Sequence, residues 1–220
     1  MYIEMRTYTL LPGRLARFWE IQTERGFDVV QPIMERLVCY FGIAGQQSDR
    51  VVHLWRYDSY EDWKARLHGL YGKPELDAYF PKVRELMTQQ DNTVLGPAPI
   101  AALTPVLGNG NDWLPTSGPR FSRNSAFEME VVDFLPGTLP AFWARLREDG
   151  GGASADPDLL GVFSTEIGRQ HRVVALRANS QSTPEWEHAL DALSATVIAR
   201  TRHDLLIPPI AAMAPIVRSL

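Results

Sequence analysis

The 220-residue sequence contains an internal repeat, and this repeat limits the fold more than any other feature. Four blocks of the first half return in the second half in the same order: residues 11–19 in 135–143, residues 50–54 in 172–176, Trp63 in Trp186, and residues 99–103 in 209–213. Each Leu-Pro-Gly block is also preceded by a Glu-Met pair. Four blocks in register indicate a tandem duplication, so we expect both halves to share one fold.

The repeat also predicts the domain boundaries. The first copy is expected to span residues 1–105 and the second, more diverged copy residues 124–220. Residues 106–123 between them are rich in Gly, Asn, Pro and Ser and show little hydrophobic periodicity, which is typical of a linker. At about 100 residues each, both copies are long enough to build a core of their own.

Within each copy, the pattern predicts the order strand, helix, strand, strand, helix, strand. Residues 2–10 alternate with a period of two, and Pro12-Gly13 ends that strand before a helix with an apolar face. Residues 37–42 and 50–57 read as two further strands joined by a turn. A βαββαβ order is the split βαβ, or ferredoxin-like, unit.

A single ferredoxin-like unit leaves one face of its sheet bare. Two copies in one chain can bury these faces against each other. We therefore predict an α+β fold in which two tandem ferredoxin-like units pack sheet to sheet. The chain would then form, within itself, the dimeric α+β barrel that a single-copy protein forms as a homodimer.

Charge and composition exclude several classes of partner. The chain has 22 Lys and Arg against 26 Asp and Glu, mixed along its length, so it offers no basic stripe for nucleic acid and no polybasic segment for a membrane. No apolar run approaches the roughly 20 residues of a membrane-spanning helix. Cys39 is the one cysteine, and the N-terminus does not resemble a signal peptide. These features favour a cytoplasmic protein.

Three segments of the first copy, residues 2–13, residues 51–59 and the Pro97-Ala98-Pro99 ending, resemble the NIPSNAP family. The second copy shares only the Leu-Pro-Gly turn and the Arg-Val-Val strand with it. The resemblance implies a dimeric α+β barrel, a superfamily that includes cofactor-free monooxygenases, isomerases and heme enzymes. Animal NIPSNAP relatives are discussed as mitochondrial and trafficking-associated scaffolds. The fold alone does not assign a reaction.

Strand alternation places a group of polar and aromatic side chains on one face of neighbouring strands. Such groups can bind a polar, anionic organic molecule and move a proton on it. We predict catalytic roles for His53, Arg6 and Tyr8, and substrate-binding roles for Glu4, Tyr40, Trp55 and Tyr57.

Structural roles compete with these predictions. Glu4 and Arg6 could simply pair with each other as buried polar groups, and His53 could be a satisfied core residue rather than an acid or base with a pKa near neutrality. The five histidines show neither HxH nor HExxH spacing, so no metal site is predicted. No cofactor is predicted either, although a single axial histidine for heme stays open.

The resulting hypothesis is a small-molecule enzyme with its pocket in the first repeat. It would act on a hydrophobic oxygenated metabolite by proton transfer or cofactor-free oxygen chemistry, as an isomerase, a cyclase or a cofactor-independent monooxygenase. The alternative is a non-catalytic ligand-binding or protein-interaction scaffold. The second copy replaces Arg6 with Glu130 and His53 with Ala175, which favours one pocket per chain. A homodimer of tandem chains stays open.

Overall fold

The computed structural model of the protein describes residues 1–45, 47–105, 119–150, 158–179 and 182–218. Residues 106–118, most of the predicted linker, lie outside this description. Within the described ranges the two repeats can be compared element by element. None of their helices combines the length and the apolar character that crossing a lipid bilayer requires.

The first repeat follows the predicted order and adds two short helices to it. Its elements are β1 (Tyr2–Leu10), α1 (Leu15–Arg25), α2 (Gln31–Met34), β2 (Leu37–Ile43), β3 (Asp49–Tyr57), α3 (Tyr60–Tyr71), α4 (Tyr79–Arg84) and β4 (Met87–Pro97). Short 3-10 turns at Asp28–Val30 and Pro74–Leu76 precede α2 and α4.

The described part of the second repeat, residues 125–150, 158–179 and 182–205, has the same order with fewer additions. Its elements are β5 (Phe127–Phe134), α5 (Leu139–Glu148), β6 (Leu159–Ile167), β7 (Arg172–Ala178), α6 (Pro184–Ala192) and β8 (Val197–Leu205). A 3-10 turn at Ser194–Thr196 stands where the first repeat has α4. The sequence lost after Trp186 therefore corresponds to the second short helix.

The strand orders confirm the predicted α+β fold of two ferredoxin-like repeats. In the first repeat the order is β2-β3-β1-β4, and in the second it is β6-β7-β5-β8. The pairs β1 with β3 and β2 with β3 are antiparallel, as are β5 with β7 and β6 with β7. This is the arrangement that the split βαβ order requires, because each helix connects two strands that are not neighbours in the sheet.

The compact units are not identical with the sequence repeats. Unit 1 contains residues 1–92, 119–124 and 205–218, and unit 2 contains residues 93–105 and the described part of 125–204. Each unit thus includes the C-terminal segment of the other copy. The boundaries 1–105 and 124–220 describe the order of the copies along the chain and stay a prediction.

These exchanged segments contribute to the core of the unit that contains them. In unit 1, Gly42 and Leu206 exchange two backbone hydrogen bonds of 2.8 Å, and Met213 is fully buried in the core. In unit 2, the Ala98 backbone N–H donates to the Val162 carbonyl at 2.9 Å, and Ile100 packs in the core. Neither core is complete without residues from the other copy.

The first helix of each repeat begins after the same glycine turn. Gly13 and Gly137 have φ values of 70° and 84°, in the left-handed region that glycine tolerates best. In the first repeat, the Asp49 carboxylate accepts a hydrogen bond of 2.9 Å from the backbone N–H of Leu15, which satisfies one free donor at the start of α1. Helix α1 then buries one face against the sheet, with Phe18, Trp19 and Ile21.

Candidate functional site

The predicted site residues lie on β1, β2 and β3 of unit 1. Alternation along β1 places Glu4, Arg6 and Tyr8 on one face, and the antiparallel register pairs Arg6 with His53 on β3. On the other side of β3, Tyr40 of β2 also pairs with His53. His53 therefore lies between Arg6 of β1 and Tyr40 of β2.

Glu4 is a fully satisfied buried carboxylate. It is 1% exposed, and its Oε2 accepts hydrogen bonds from Arg6 Nη2 at 2.7 Å and from Trp63 Nε1 at 2.8 Å. Its Oε1 accepts a third, from Asn92 Nδ2 at 2.9 Å. Both oxygens of Glu4 are therefore occupied by hydrogen bonds from the protein itself, which supports a structural role for Glu4. The carboxylate fixes the position of Arg6 and connects β1 to Trp63 and Asn92.

Arg6 joins this carboxylate to the aromatic part of the site. Its guanidinium lies 5.3 Å from the centre of the Trp55 ring, a cation–π arrangement, and its Nε has no partner among the residues described. Burial opposes the charged form of Arg6, but the hydrogen bond and charge of Glu4 outweigh it and raise the pKa of Arg6 above its ordinary value. Arg6 is therefore a permanent cation.

His53 is a neutral imidazole enclosed by aromatic rings. Its ring stacks on Tyr40 at 4.3 Å between centroids with an angle of 8°, and meets the edge of Tyr8 at 4.6 Å. Trp55 Nε1 donates to His53 Nδ1 at 2.8 Å, so the neutral ring must carry its proton on Nε2. Burial, with the charge of Arg6, lowers the pKa of His53 well below 6.5. This lies outside the near-neutral range that the sequence suggested.

The phenols of the site are kept protonated. Burial raises the pKa of Tyr8, Tyr40 and Tyr57 above the ordinary value of 10. The hydroxyl of Tyr57 and Nε2 of His53 are both buried without a hydrogen-bond partner in the described ranges. At neutral pH the phenols and the imidazole of His53 are uncharged. They can donate hydrogen bonds, but they do not act as proton acceptors.

Four of the predicted residues line one cavity of about 90 Å³, which we call the inner cavity. They are Arg6, Tyr8, Tyr40 and Trp55. Glu4, His53 and Tyr57 do not line it and stand behind it in the sheet. The structure thus separates residues that face the cavity from residues that hold them.

The sequence reasoning missed the side of the inner cavity that the helices supply. Arg25 from the end of α1 and Arg84 from the end of α4 both line it, together with Tyr79. The Arg25 guanidinium lies 5.0 Å from the centre of the Tyr79 ring, and the Tyr79 hydroxyl donates to Gln22 Oε1 at 2.9 Å. In the sequence, the only indication of this side of the cavity is that Arg25 and Arg84 lie in the last turns of two helices. No carboxylate is among the described residues that line this cavity.

The second repeat uses the equivalent positions differently. Glu130 pairs with Ala175 in the register where Arg6 pairs with His53. Glu130 is fully buried and accepts hydrogen bonds from Arg177 at 3.2 Å, from Arg202 at 3.2 Å and from Arg200. In unit 2 an ion-pair network therefore takes the place of the aromatic and phenolic residues of unit 1.

Among the described residues, the side chains around the inner cavity do not form a ligand set for a metal ion, and His53 is not placed to be an axial ligand of heme. In the described ranges, no three His, Cys, Asp or Glu side chains come close enough together to hold a metal ion. An axial histidine would need a nitrogen lone pair facing a porphyrin-sized space. The lone pair of His53 already accepts from Trp55, and the ring does not line the inner cavity, which is far too small for a porphyrin.

Comparisons with known proteins agree with this architecture. The NIPSNAP family model matches residues 3–102. A NIPSNAP domain protein from Burkholderia xenovorans is 27% identical, with 45% of this chain and 96% of that chain covered and a TM-score of 0.41. No curated protein matches the chain.

Two solved structures are similar over almost the whole chain. A monooxygenase-like protein from Fusobacterium nucleatum is 9% identical, with 94% of this chain and 92% of that chain covered and a TM-score of 0.60. An anthrone oxidase-like protein is 12% identical, with 94% and 90% covered and a TM-score of 0.52. At this identity they show the fold, that of the α+β barrel proteins. The repeat that carries the inner cavity is the part of the chain that the NIPSNAP family model matches, residues 3–102.

Proposed function

We propose that the protein is a small-molecule enzyme whose inner cavity stabilises an oxyanion on a hydrophobic, oxygenated substrate. The observation that carries this proposal is the uniform chemistry of the cavity. Arg6, Arg25 and Arg84 bring three guanidinium groups to it, and Tyr8 and Tyr40 bring protonated phenols. All of these groups donate hydrogen bonds, and donors aimed at a developing negative charge are the largest single source of rate enhancement in many enzymes.

The same chemistry indicates which part of the reaction the protein assists. With neither a lining carboxylate nor a basic histidine, the described part of the site contains no strong proton acceptor. The donors instead make a bound enol, phenol or carbonyl compound more acidic, so that its proton leaves to water. The anion can regain a proton at another atom, which isomerises the substrate. It can instead form a bond to an electrophilic carbon of the same molecule and then take up a proton from water, which cyclises the substrate. It can also give electrons to dioxygen, which is oxygen chemistry without a cofactor.

His53 acts in this proposal as a positioning residue rather than as the acid or base that the sequence suggested. It contacts Tyr40 by stacking and Tyr8 by an edge contact, and Trp55 fixes its tautomer. The phenols that face the cavity are thereby held at a fixed separation. The names of the whole-chain structural relatives, monooxygenase-like and anthrone oxidase-like, agree with oxygen chemistry, although their similarity concerns the fold.

The test is a comparison of two tyrosine variants. Oxygen uptake and product formation are measured with a panel of phenols, anthrones and enolisable ketones. Removing one oxyanion donor lowers kcat about 10²-fold to 10³-fold, so Tyr40→Phe should show a loss of this size on the best substrate. Tyr60→Phe is the matched control, because Tyr60 is 50% exposed on α3 and does not line the cavity.

The outcomes separate the proposal from its alternative. If panel compounds bind and are turned over, and Tyr40→Phe retains wild-type kcat, the oxyanion role of the cavity is wrong. If compounds bind in a Tyr40-dependent manner without any turnover, the protein is the non-catalytic ligand-binding alternative. Binding that neither variant changes would place the ligand elsewhere.

A further inference from the structure

A second and larger cavity opens beside the inner cavity in unit 1. It has a volume of about 460 Å³, and we call it the outer groove. Its apolar lining comes from the segment around α2 and from one face of α3: Val29, Val30, Ile33, Ala65, Gly69 and Leu70. A volume of this size lies within the range of about 300–1,000 Å³ that is typical of sites for small organic ligands.

The outer groove and the inner cavity share a wall. Val30, Ile33 and Leu70 line both of them. These three apolar residues therefore lie between the two spaces. Leu70 is half-buried, whereas Val30 and Ile33 are buried.

The two spaces differ in chemistry. The inner cavity has about 90 Å³, enough for a small polar group but not for a whole metabolite. Its guanidinium groups include Arg25 and Arg84, which form no ion pair with any carboxylate that the structure describes. The outer groove has an apolar floor. One space is suited to an anionic head, and the other to an apolar body.

The charged rim of the outer groove is mostly self-satisfied. Arg66 donates to Asp62 at 2.7 Å and to Glu35 at 3.3 Å, and also to the Pro32 carbonyl, so it joins α3 to α2. Lys73 is half-buried and forms no ion pair within the described chain. One free ammonium at the rim competes with the guanidinium cluster of the inner cavity for an anionic group.

We propose, resting on the proposed function, that the substrate is an amphipathic acid that occupies both spaces. Its anionic or oxygen-bearing head lies in the inner cavity against Arg25, Arg84 and Arg6. Its apolar body passes between Ile33 and Leu70 and fills the outer groove. Arg25 and Arg84, which have no carboxylate partner in the described chain, outweigh the single ammonium of Lys73 and set this orientation, while Arg6 is already paired with Glu4.

The first experiment measures affinity across a series of straight-chain carboxylates from butanoate to dodecanoate by isothermal titration calorimetry. Burial of one methylene contributes about 0.8 kcal/mol, which corresponds to about fourfold in Kd. We expect Kd to fall by roughly this factor per added methylene until the groove is filled, and then to level off. Primary alcohols of equal length should bind at least tenfold more weakly, because they lack the anionic head.

The second experiment fills the groove. A Cβ added at Gly69 would meet no atom within 4 Å, so a side chain can be placed there without strain. Gly69→Phe should reduce the ratio between the butanoate and decanoate Kd values to within about threefold. Lys64→Phe is the matched control, because it adds the same side chain on an exposed position of α3 that does not line the groove. It should keep the full length dependence.

Each outcome supports or overturns the proposal. If short acids bind through Arg25 but longer acids gain nothing, the amphipathic substrate is wrong and the proposed function stands. If alcohols bind as well as acids, the substrate is not selected as an anion and the amphipathic-acid proposal is overturned, whereas the proposed function is tested separately by the turnover of Tyr40→Phe. If Lys73→Gln weakens binding of the long acids more than Arg25→Gln does, the orientation is reversed and the proposal is overturned.

Discussion

Replacing Glu4 by glutamine tests whether the buried ion pair holds the site together. The substitution keeps the shape of the side chain but removes its charge, and it turns one acceptor atom into a donor. Three groups now donate to the Glu4 carboxylate: Arg6, Trp63 and Asn92. With one oxygen left, at least one of these donors must face the new amide hydrogens, and the Arg6 cation stays buried without its counter-charge.

Removing one partner of a buried ion pair costs about 3–5 kcal/mol, and this is the loss we expect in the free energy of unfolding of Glu4→Gln. At about 2–4 °C per kcal/mol for a protein of this size, the melting temperature should fall by roughly 6–20 °C. Urea denaturation at neutral pH measures the change, with the slope m as a check that the unfolding transition is unaltered.

The matched control is Glu24→Gln. Glu24 also bonds to two cations, Arg17 at 2.6 Å and Lys82 at 3.2 Å, but its side chain is 44% exposed and solvent screens these pairs, so the loss should be far smaller than that of Glu4→Gln. Glu4→Gln combined with Arg6→Met should recover part of the lost stability, because the unpaired charge is then gone. A Glu4→Gln protein within 1 kcal/mol of the wild type would refute this reasoning.

Three further predictions concern stability. Gly13→Ala and Gly137→Ala should each lower the free energy of unfolding by about 1 kcal/mol, measured by urea denaturation, because both glycines have positive φ. Since His53 stays neutral in the fold, its contribution to stability should be complete above pH 6.5 and fall by up to about 1.4 kcal/mol per unit as pH drops below it; His53→Gln should lack this contribution to the slope. The Arg200 hydrogen bonds lower the pKa of Glu187 to about 2, so stability that is present above pH 4.5 should be lost as pH falls from 4.5 towards 2; Glu187→Gln, followed by circular dichroism, should lose less stability than the wild type over this window, while other paired carboxylates such as Asp133 still titrate.

The sequence predicted the repeat architecture because the blocks of the first half return in the same order in the second half, and it predicted the face of the site because strand alternation is a short-range pattern. Alternation with a period of two places Arg6 and Tyr8 together, and a strand can hardly violate it. The antiparallel hairpin then brought His53 and Tyr40 beside them. These are consequences of backbone geometry, so they can be inferred from one sequence.

The contacts that decide the role of each residue were beyond such reasoning. Glu4 receives hydrogen bonds from Trp63 and Asn92, which are 59 and 88 residues away along the chain. Arg25 and Arg84 reach the inner cavity only because of how α1 and α4 pack on the sheet. No local pattern encodes such packing, since it depends on how side chains from distant elements fit together.

The exchange of C-terminal segments between the two copies has a consequence for how stability depends on protein concentration. In a chain with a single copy, the segment that completes each core would come from another molecule, and the complete fold would dissociate on dilution. Here the chain supplies residues 93–105 and 205–218 to the two units by covalent connection. Tethering replaces the bulk concentration with a fixed effective concentration, so dilution should leave the melting temperature of the intact chain unchanged. If the chain is cut between the repeats, its melting temperature should again fall on dilution.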